Sequence, residues 1–465
     1  MIRLFLVVLL LAFALPAFSQ QRWERNYGGT DWDWGNSVQQ TSDGGYIVAG
    51  ETRSFGNGYY DVYLIKTNAS GDTLWTRTYG GMSYDGGYSV QQTQDPGYIV
   101  AGGTESFGNS SQVYLIKTNA SGDTLWTRTY GGTNLEFGYS VQQTTDGGYI
   151  VTGYTLSFGS GSQVFLVKTN ALGDTLWTRN YGGMGDDEGH SVQQTSDGGY
   201  IVAGYTGSFG AGYYDVYLIK TNASGDTLWT RTYGGMSYDY GYSVQQTSDA
   251  GYIVAGRTES FGNGLSDVYL IKTNASGDTL WTRTYGGANW DYGYSVQQTS
   301  DGGYVVTGWT LSFGNARQAY LIRTNATGDT LWTRTYGGVG YDYGMSVQQT
   351  SDGGYIVAGW TGSFGNDWQV YLIKTDSLGR STGVEETAES GGQKLEVRIT
   401  PTPNPFTSFA SVPGHLSESF TLYDVSGRRV GVYKGDRIGE GLAPGVYFIR
   451  SLDSKDKPLR IVKVR

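Results

Sequence analysis

The stretch Ser37-Val38-Gln39-Gln40-Thr41-Ser42-Asp43-Gly44-Gly45-Tyr46-Ile47-Val48-Ala49-Gly50 returns six more times, with close copies beginning at Ser89, Ser140, Ser191, Ser243, Ser295 and Ser346. Tandem copying at a fixed spacing marks an architecture in which each copy buries its apolar surface against its neighbours rather than within itself. The tryptophan that ends each copy stands at 23, 75, 126, 177, 229, 281 and 332, so the step is 51 or 52 residues. One full copy, Tyr242 to Gly287, holds four strand-like runs: A (YSVQQT), B (GYIVAG), C (DVYLIKT) and D (TLWTRTY). Ser-Asp-Gly-Gly or a variant joins A to B, and Asn-Ala-Ser-Gly-Asp joins C to D; both supply the Gly and Asx residues that tight hairpins need.

Four antiparallel strands per copy make one sheet, and a period near 50 residues is that of a propeller blade, whereas β-helices and leucine-rich solenoids repeat faster. The small residues of A and B against the Trp, Arg and Tyr of D give the taper expected of blades converging on an axis. The chain opens with a lone D strand, Arg22 to Tyr27, and the seventh copy supplies A, B and C without a D. The two ends are complementary. The expected fold is therefore all-β, a seven-bladed propeller over 20–379 closed by its N-terminal strand, with a linker at 380–395 and a small β-sandwich-like domain at 396–465.

Composition agrees with this. Gly accounts for 74 of 465 residues, Tyr for 39 and Trp for 13, and charged residues make up only 16%, a turn-rich and aromatic-rich balance rather than a disordered one. Residues 1–19 combine a basic start at Arg3, an apolar run to Leu15 and Ala17-Phe18-Ser19, the pattern of a secretory signal peptide. No other stretch approaches the length of a membrane-crossing helix. Cysteine is absent, which excludes disulfides and thiolate metal sites. The net charge of -10 argues against a nucleic-acid partner.

Strand order, turns and the Trp position resemble a kelch-type blade, although the glycine doublet after strand B is broken, as in Ala49-Gly50-Glu51. Asn68-Ala69-Ser70-Gly71-Asp72-Thr73-Leu74-Trp75 is similar to the Trp-docking motif of quinoprotein propellers with a turn one residue shorter. Both resemblances imply fold and not chemistry. In the tail, Thr402-Pro403-Asn404-Pro405-Phe406, then Phe420 to Val430 with Asp424-Val425-Ser426-Gly427 at its centre, then Leu442 to Arg450 resemble in order the three blocks of the C-terminal sorting domain of type IX secretion substrates. That resemblance implies the type IX machinery as partner, passage through the outer membrane, and a protein released or attached at the cell surface.

Function has to sit where the copies differ. In a propeller the D–A and B–C loops share one face, and here the D–A loops vary while the C–D turns are nearly constant; variable loops on a rigid frame are the place for binding. Each D–A loop carries an acid two residues before Gly: Asp33, Asp85, Glu136, Asp187, Asp239, Asp291 and Asp342. Such a carboxylate can accept N–H bonds within its own loop or, if the seven converge, join a ring that binds Ca²⁺ or sugar hydroxyls. Beside the acids stand Trp32, Trp34, Tyr84, Phe137, Tyr238, Tyr240, Trp290, Tyr292, Tyr341 and Tyr343, which fit either inter-blade packing or the faces of a sugar or protein ligand. No cofactor motif is present. The acidic run Asp186-Asp187-Glu188 stands out among the copies, and a glycoside hydrolase needs two carboxylates across the scissile bond. The sequence thus leaves three readings: a non-catalytic binder of glycan or protein, a carbohydrate-active enzyme on the same face, and a structural or adhesive surface component. Trp75 and its equivalents, fixed within strand D, are expected in the core.

Overall fold

A computed structural model describes residues 20–108, 110–382, 419–424, 428–434, 436–451 and 459–463. The signal segment, the linker after Thr382 and the first tail block, Thr402 to Phe406, lie outside the described residues. The chain divides into two compact units, Met1–Thr387 and Ala388–Arg465.

The first unit is seven four-stranded antiparallel sheets. In the first blade A is Asp33–Gln40, B is Tyr46–Thr52, C is Asp61–Thr67 and D is Thr73–Tyr79. The seventh blade takes its fourth strand from the other end of the chain: Trp23–Tyr27 lies antiparallel to Gln369–Thr375, with Trp23 opposite Lys374 and Tyr27 opposite Val370. The complementary ends read from the sequence are joined as expected.

Strands B and C are buried along their whole length, because both of their faces meet a neighbouring blade. Ile47, Ala49, Val62 and Leu64 of the first blade pack on Val90, Tyr98, Val100 and Tyr114 of the second. Tyr46, Val48, Tyr63 and Ile65 face the opposite way, onto Trp23, Ala358, Val370 and Leu372. A continuous apolar run is what a strand buried on both faces requires. The core is a set of seams between copies.

The repeated SVQQ now has a physical reading. Strand A is the innermost strand, and its inner edge would leave unpaired N–H groups. The neighbouring blade caps them with side chains: Val90 N–H donates to Ser37 Oγ at 3.1 Å, and Gln92 N–H donates to Gln39 Oε1 at 2.6 Å. The second glutamine reaches the other way, with Ser351 N–H donating to Gln40 Oε1 at 2.8 Å. These bonds run round the ring without a break, since Val38 N–H donates to Ser346 Oγ and Gln40 N–H to Gln348 Oε1. The Val-Gln pairs from all seven blades line a central channel of about 240 Å³.

The A–B turn carries its own lock. Asp43 accepts from Thr41 Oγ1, Gly45 N–H and Lys66 Nζ, the lysine lying buried in strand C. Gly44 takes a φ of +82°, and Pro96 and Ala250 hold the same place at positive φ in two other blades; a Cβ on Gly45 would fall 2.1 Å from the Thr67 carbonyl oxygen, so the second glycine is dictated by close approach.

Strand D corrects one expectation. Trp75 and its equivalents are half-buried on the outer strand rather than in the core, with only Trp23 buried. Each covers a seam from outside: Trp75 meets Tyr98 edge-on at 5.9 Å, Arg77 lies over the indole, and Tyr79 donates its hydroxyl to Gly122 O at 2.6 Å in the next blade.

In the second unit the described strands form one antiparallel sheet, ordered Arg429–Lys434, Ser419–Asp424, Gly445–Ser451, Leu459–Lys463. Phe420, Leu422, Ile438 and Ile449 form its core. Among the described residues it is a single sheet.

Candidate functional site

The D–A and B–C loops come together on one face of the ring, bonded to one another as in Asp31 N–H to Ser54 Oγ at 3.0 Å and Arg53 N–H to Trp32 O at 2.8 Å. The seven acids at the start of strand A are all 0% exposed. Asp33 accepts from Gly29 N–H at 2.8 Å, Ser54 Oγ at 2.7 Å and Thr52 Oγ1. Asp85, Asp187, Asp239, Asp291 and Asp342 repeat the glycine and serine bonds. Glu136 accepts instead from Gly132 N–H, Gln112 Nε2 and Thr155 Oγ1. Asp85, Asp187, Asp239 and Asp291 accept through Oδ2 alone, and their Oδ1 atoms are buried without a hydrogen-bond partner. No cluster of three or more His, Cys, Asp or Glu able to hold a metal ion occurs among the described residues. Each acid holds its own loop closed through the glycine N–H that it accepts from.

The aromatic residues form a band around the channel mouth. Trp34 stacks between Trp32 and Tyr60 and touches Trp360. Tyr343 lies on Trp360 at 3.6 Å and meets Trp309, which covers Tyr292 at 4.4 Å. Tyr205 meets both Tyr214 and Tyr240, and Tyr238 lies parallel to Tyr240. Phe137 stacks on Tyr154, whereas Tyr84 joins the band at Tyr60. Tyr88, Tyr139, His190, Tyr242 and Tyr294 follow one another in ring contact, edge-on at Tyr88–Tyr139 and His190–Tyr242, stacked at Tyr139–His190 and tilted at Tyr242–Tyr294. Of the sequence candidates, Trp290 and Tyr341 are exposed, Tyr343 is buried, and the other aromatics are half-buried.

Asp186, Asp187 and Glu188 take three different surroundings. Asp186 is exposed and accepts from Ser162 N–H at 3.1 Å; Asp187 is sealed in its loop. Glu188 lies against Tyr205, and its Oε2 is 3.6 Å from Nε2 of His190, which stacks on Tyr139 at 4.7 Å. Burial pushes the Glu188 carboxyl up to about 7, reinforced by Asp186 and opposed by Tyr205. Burial holds His190 down at about 4, so the imidazole is neutral at physiological pH. Glu51, buried at the end of the first strand B, is likewise raised to about 7 by burial, with Tyr84, Tyr88 and Asn36 opposing.

These shifts make a prediction. A carboxyl whose folded value is raised from about 4.5 to about 7 takes up a proton on folding in that window, so stability grows as pH falls through 7. His190 acts in the opposite sense, losing stability once the pH drops below its ordinary 6.5. Stability should therefore rise between pH 8 and pH 6.5 by on the order of 1 kcal/mol for the two glutamates together, and the melting temperature should rise with it. A variant carrying Glu51→Gln and Glu188→Gln should lose that rise in a calorimetric pH series. A melting temperature that is flat from pH 8 to 6.5 in the unaltered protein would contradict the assignment.

Sequence reading passed over the loop tips. Met82, Met184, Met236 and Val339 follow the Gly-Gly of four D–A loops and are 84 to 95% exposed. With Tyr59, Tyr213, Trp290 and Tyr341, also exposed, they ring the same face with apolar surface. The signal was present as an apolar residue after a glycine doublet, but it could not be separated from a packed one without the fold.

No protein-family model matches the chain. It is similar to the regulatory protein FlaEY of Caulobacter vibrioides, with 24% identity over 329 residues and 55% of this chain covered; the match spans 33% of that protein's length. Among solved structures it is similar to Sqt1 from Chaetomium thermophilum, with 10% identity, 73% of this chain and 82% of that chain covered, and a TM-score of 0.44. BamB from Moraxella catarrhalis gives 12% identity, 73% and 85% coverage and a TM-score of 0.36. The quinohemoprotein alcohol dehydrogenase ADHIIG from Pseudomonas putida HK5 gives 10%, 83%, 79% and 0.39.

Proposed function

We propose that this protein is an exported propeller, displayed on or released from the cell surface, that binds a glycan or protein ligand through its variable loop face without catalysis of its own. The observation that carries the reading is the exposed ring of Met82, Met184, Met236 and Val339 around the aromatic band. Methionine adapts its shape to a partner at little cost, and an apolar rim of this extent on a water-facing loop surface is a binding surface. Export rests on the signal-like residues 1–19 and the three tail blocks, with the type IX machinery as the partner for the tail. No helix among the described residues is long and apolar enough to cross a membrane.

A second reading, a carbohydrate-active enzyme, draws on Glu188, whose raised carboxyl beside Asp186 has the character of a general acid. One set of measurements divides them. The chain from Gln20 is applied to a glycan array and to immobilised surface proteins of the producing cell, with a polysaccharide hydrolysis screen alongside. Replacing Met82, Met184, Met236 and Val339 together by serine should weaken capture at least tenfold with the melting curve retained. Turnover that vanishes in Glu188→Gln would establish the enzyme instead. Mass spectrometry of the extracellular protein tests the export route: most molecules carrying an intact Arg465 would remove the case for a cleaved sorting domain.

A further inference from the structure

The repeat allows each blade to be read against another at the same position. At the end of strand B, facing the next blade, stand Glu51, Gly103, Tyr154, Tyr205, Arg257, Trp309 and Trp360. The residue after the strand A acid is Trp34, Gly86, Phe137, Glu188, Tyr240, Tyr292 and Tyr343. These two positions are paired across the hairpin, and only in the second blade are both members glycine, Gly86 opposite Gly103.

The fifth blade shows what this place can hold. Arg257 lies with its guanidinium carbon 4.2 Å from the ring centre of Tyr240 and 4.6 Å from that of Tyr292, the tyrosine of the next blade. Its Nη1 donates to Glu259 at 2.6 Å, and its Nε donates to the Tyr242 hydroxyl at 3.4 Å. It is a cation enclosed by π faces and one carboxylate. Arg53, over Trp32, Tyr59 and Tyr60, and Arg317, over Trp309, Tyr341 and Tyr343, are caged on the same face.

In the second blade one ring wall and the carboxylate of the cage are kept, while its arginine and its second ring are missing. Glu105 stands where Glu259 does, Tyr88 where Tyr242 does, Phe137 where Tyr292 does; Gly103 replaces Arg257 and Gly86 replaces Tyr240. What results is an open cleft of about 300 Å³ lined by Tyr84, Tyr88, Glu105, Phe137, Tyr139 and Tyr154. A Cβ on Gly103 would fall 2.4 Å from the Phe137 ring, so that ring occupies the space in which the Arg257 stem begins in the fifth blade and closes the cleft on the Gly103 side. Behind Gly86 lies the carboxyl of Glu51, with one oxygen buried and without a hydrogen-bond partner. Serine hydroxyls of Ser83 and Ser111 hold Glu105 at the rim. The lining contains no Lys, Arg or His.

We propose that this cleft between the second and third blades receives an arginine side chain of a protein partner, taking the place that Arg257 fills from within in the fifth blade. The inference rests on the face being a binding surface and selects protein over glycan as what reaches this part of it. Rings and the Glu105 carboxylate without an internal counter-charge favour a cation, and all three cages already occupied on this face hold arginine.

The test uses the chain from Gln20 and three acetylated, amidated tripeptides, Gly-Arg-Gly, Gly-Lys-Gly and Gly-citrulline-Gly, titrated by NMR or calorimetry. Citrulline keeps the shape of arginine and removes its charge. The arginine peptide should bind at one saturable site, at least tenfold more tightly than the citrulline peptide and more tightly than the lysine peptide. Gly103→Arg, which builds the fifth-blade arrangement into the second, should abolish binding; Glu105→Gln should weaken it severalfold and guards against a misfolded Gly103 variant. Arg257→Gly should raise the number of sites from one to two. Equal affinity for arginine and citrulline peptides, or binding that survives both Gly103→Arg and Glu105→Gln, would overturn the assignment. If Gly103→Arg still captures the ligand found on the loop face, the face reading stands and the cleft assignment falls; loss of face binding in the four-serine variant alone leaves the cleft intact.

Discussion

A chain that begins at Thr30 should aggregate, or melt far below the protein that begins at Gln20. Removing the first strand uncovers the edge of Gln369–Thr375, a strand buried along its length. An unpaired apolar edge is a template for association. It also removes Trp23, which packs on Tyr46, Val48, Val370 and Leu372 across the seam between the seventh and first blades. Three further bonds go with it: Trp23 Nε1 to Ala69 O at 3.2 Å, Tyr27 hydroxyl to Gly71 O at 2.6 Å, and the buried contact of Glu24 with the Tyr371 hydroxyl. Loss of a buried aromatic alone costs about 3–5 kcal/mol, a large share of a domain stability of about 5–15 kcal/mol. A chain ending at Thr382 keeps all of these contacts and should retain the propeller transition. Size-exclusion chromatography and thermal melts of the two chains decide the matter. A monomeric chain from Thr30 with an unchanged melting curve would show that the first strand does not lock the ring.

That closure was legible because repetition makes a missing strand visible: a D without A, B and C at one end, and the converse at the other. The tryptophans were misplaced for a related reason. A residue fixed in every copy looks like core, but in a ring of radial sheets the fourth strand faces solvent, and Trp75 is conserved between copies because it covers a seam and carries Arg77. The glutamines hid their role altogether. Their bonds to backbone N–H groups of the neighbouring blade exist only once the inner strands stand side by side.

The loop face was legible as a face and not as a site. Acids and rings were found together in sequence, yet the fold turns the acids inward to their own loops and sends many of the rings onto each other. Gly86 and Gly103 carry no signal of their own in a chain this rich in glycine, and only their pairing across one hairpin, against bulky residues elsewhere, gives them meaning. His190 and Glu188 differ by two in sequence, and alternation along a strand places both on the same side, a relation that spacing alone did not flag as a contact.

Asp197→Ala should destabilise the propeller by about 2 kcal/mol, more than a surface ion pair is worth, because of what it leaves behind. The Lys220 side chain is only 5% exposed, and its ammonium donates to Asp197 at 2.9 Å and to the Thr221 carbonyl at 2.8 Å. Asp197 also accepts from Thr195 Oγ1 and from Gly199 N–H at 3.0 Å, so one carboxylate holds the A–B turn to strand C. Take the aspartate away and a buried cation keeps one carbonyl; take both away, as in Asp197→Ala with Lys220→Met, and much of the cost should vanish, since no unpaired charge remains. The same geometry sets an acid limit. Burial tends to raise the Asp197 carboxyl, but the bonds from Thr195, Lys220 and Gly199 outweigh it and hold the group down at about 2, below its ordinary 3.8. A depressed folded value means the stabilisation is complete above 3.8 and disappears as the pH falls through about 2. Asp43, Asp95, Asp146, Asp249, Asp301 and Asp352 are lowered in the same way, so seven turns weaken over one narrow range. The melting temperature of the unaltered protein should fall steeply below pH 3.8, and the gap between it and Asp197→Ala should close there. A gap that stays constant down to pH 2, or a double variant as unstable as Asp197→Ala, would mean that the buried lysine does not depend on its turn.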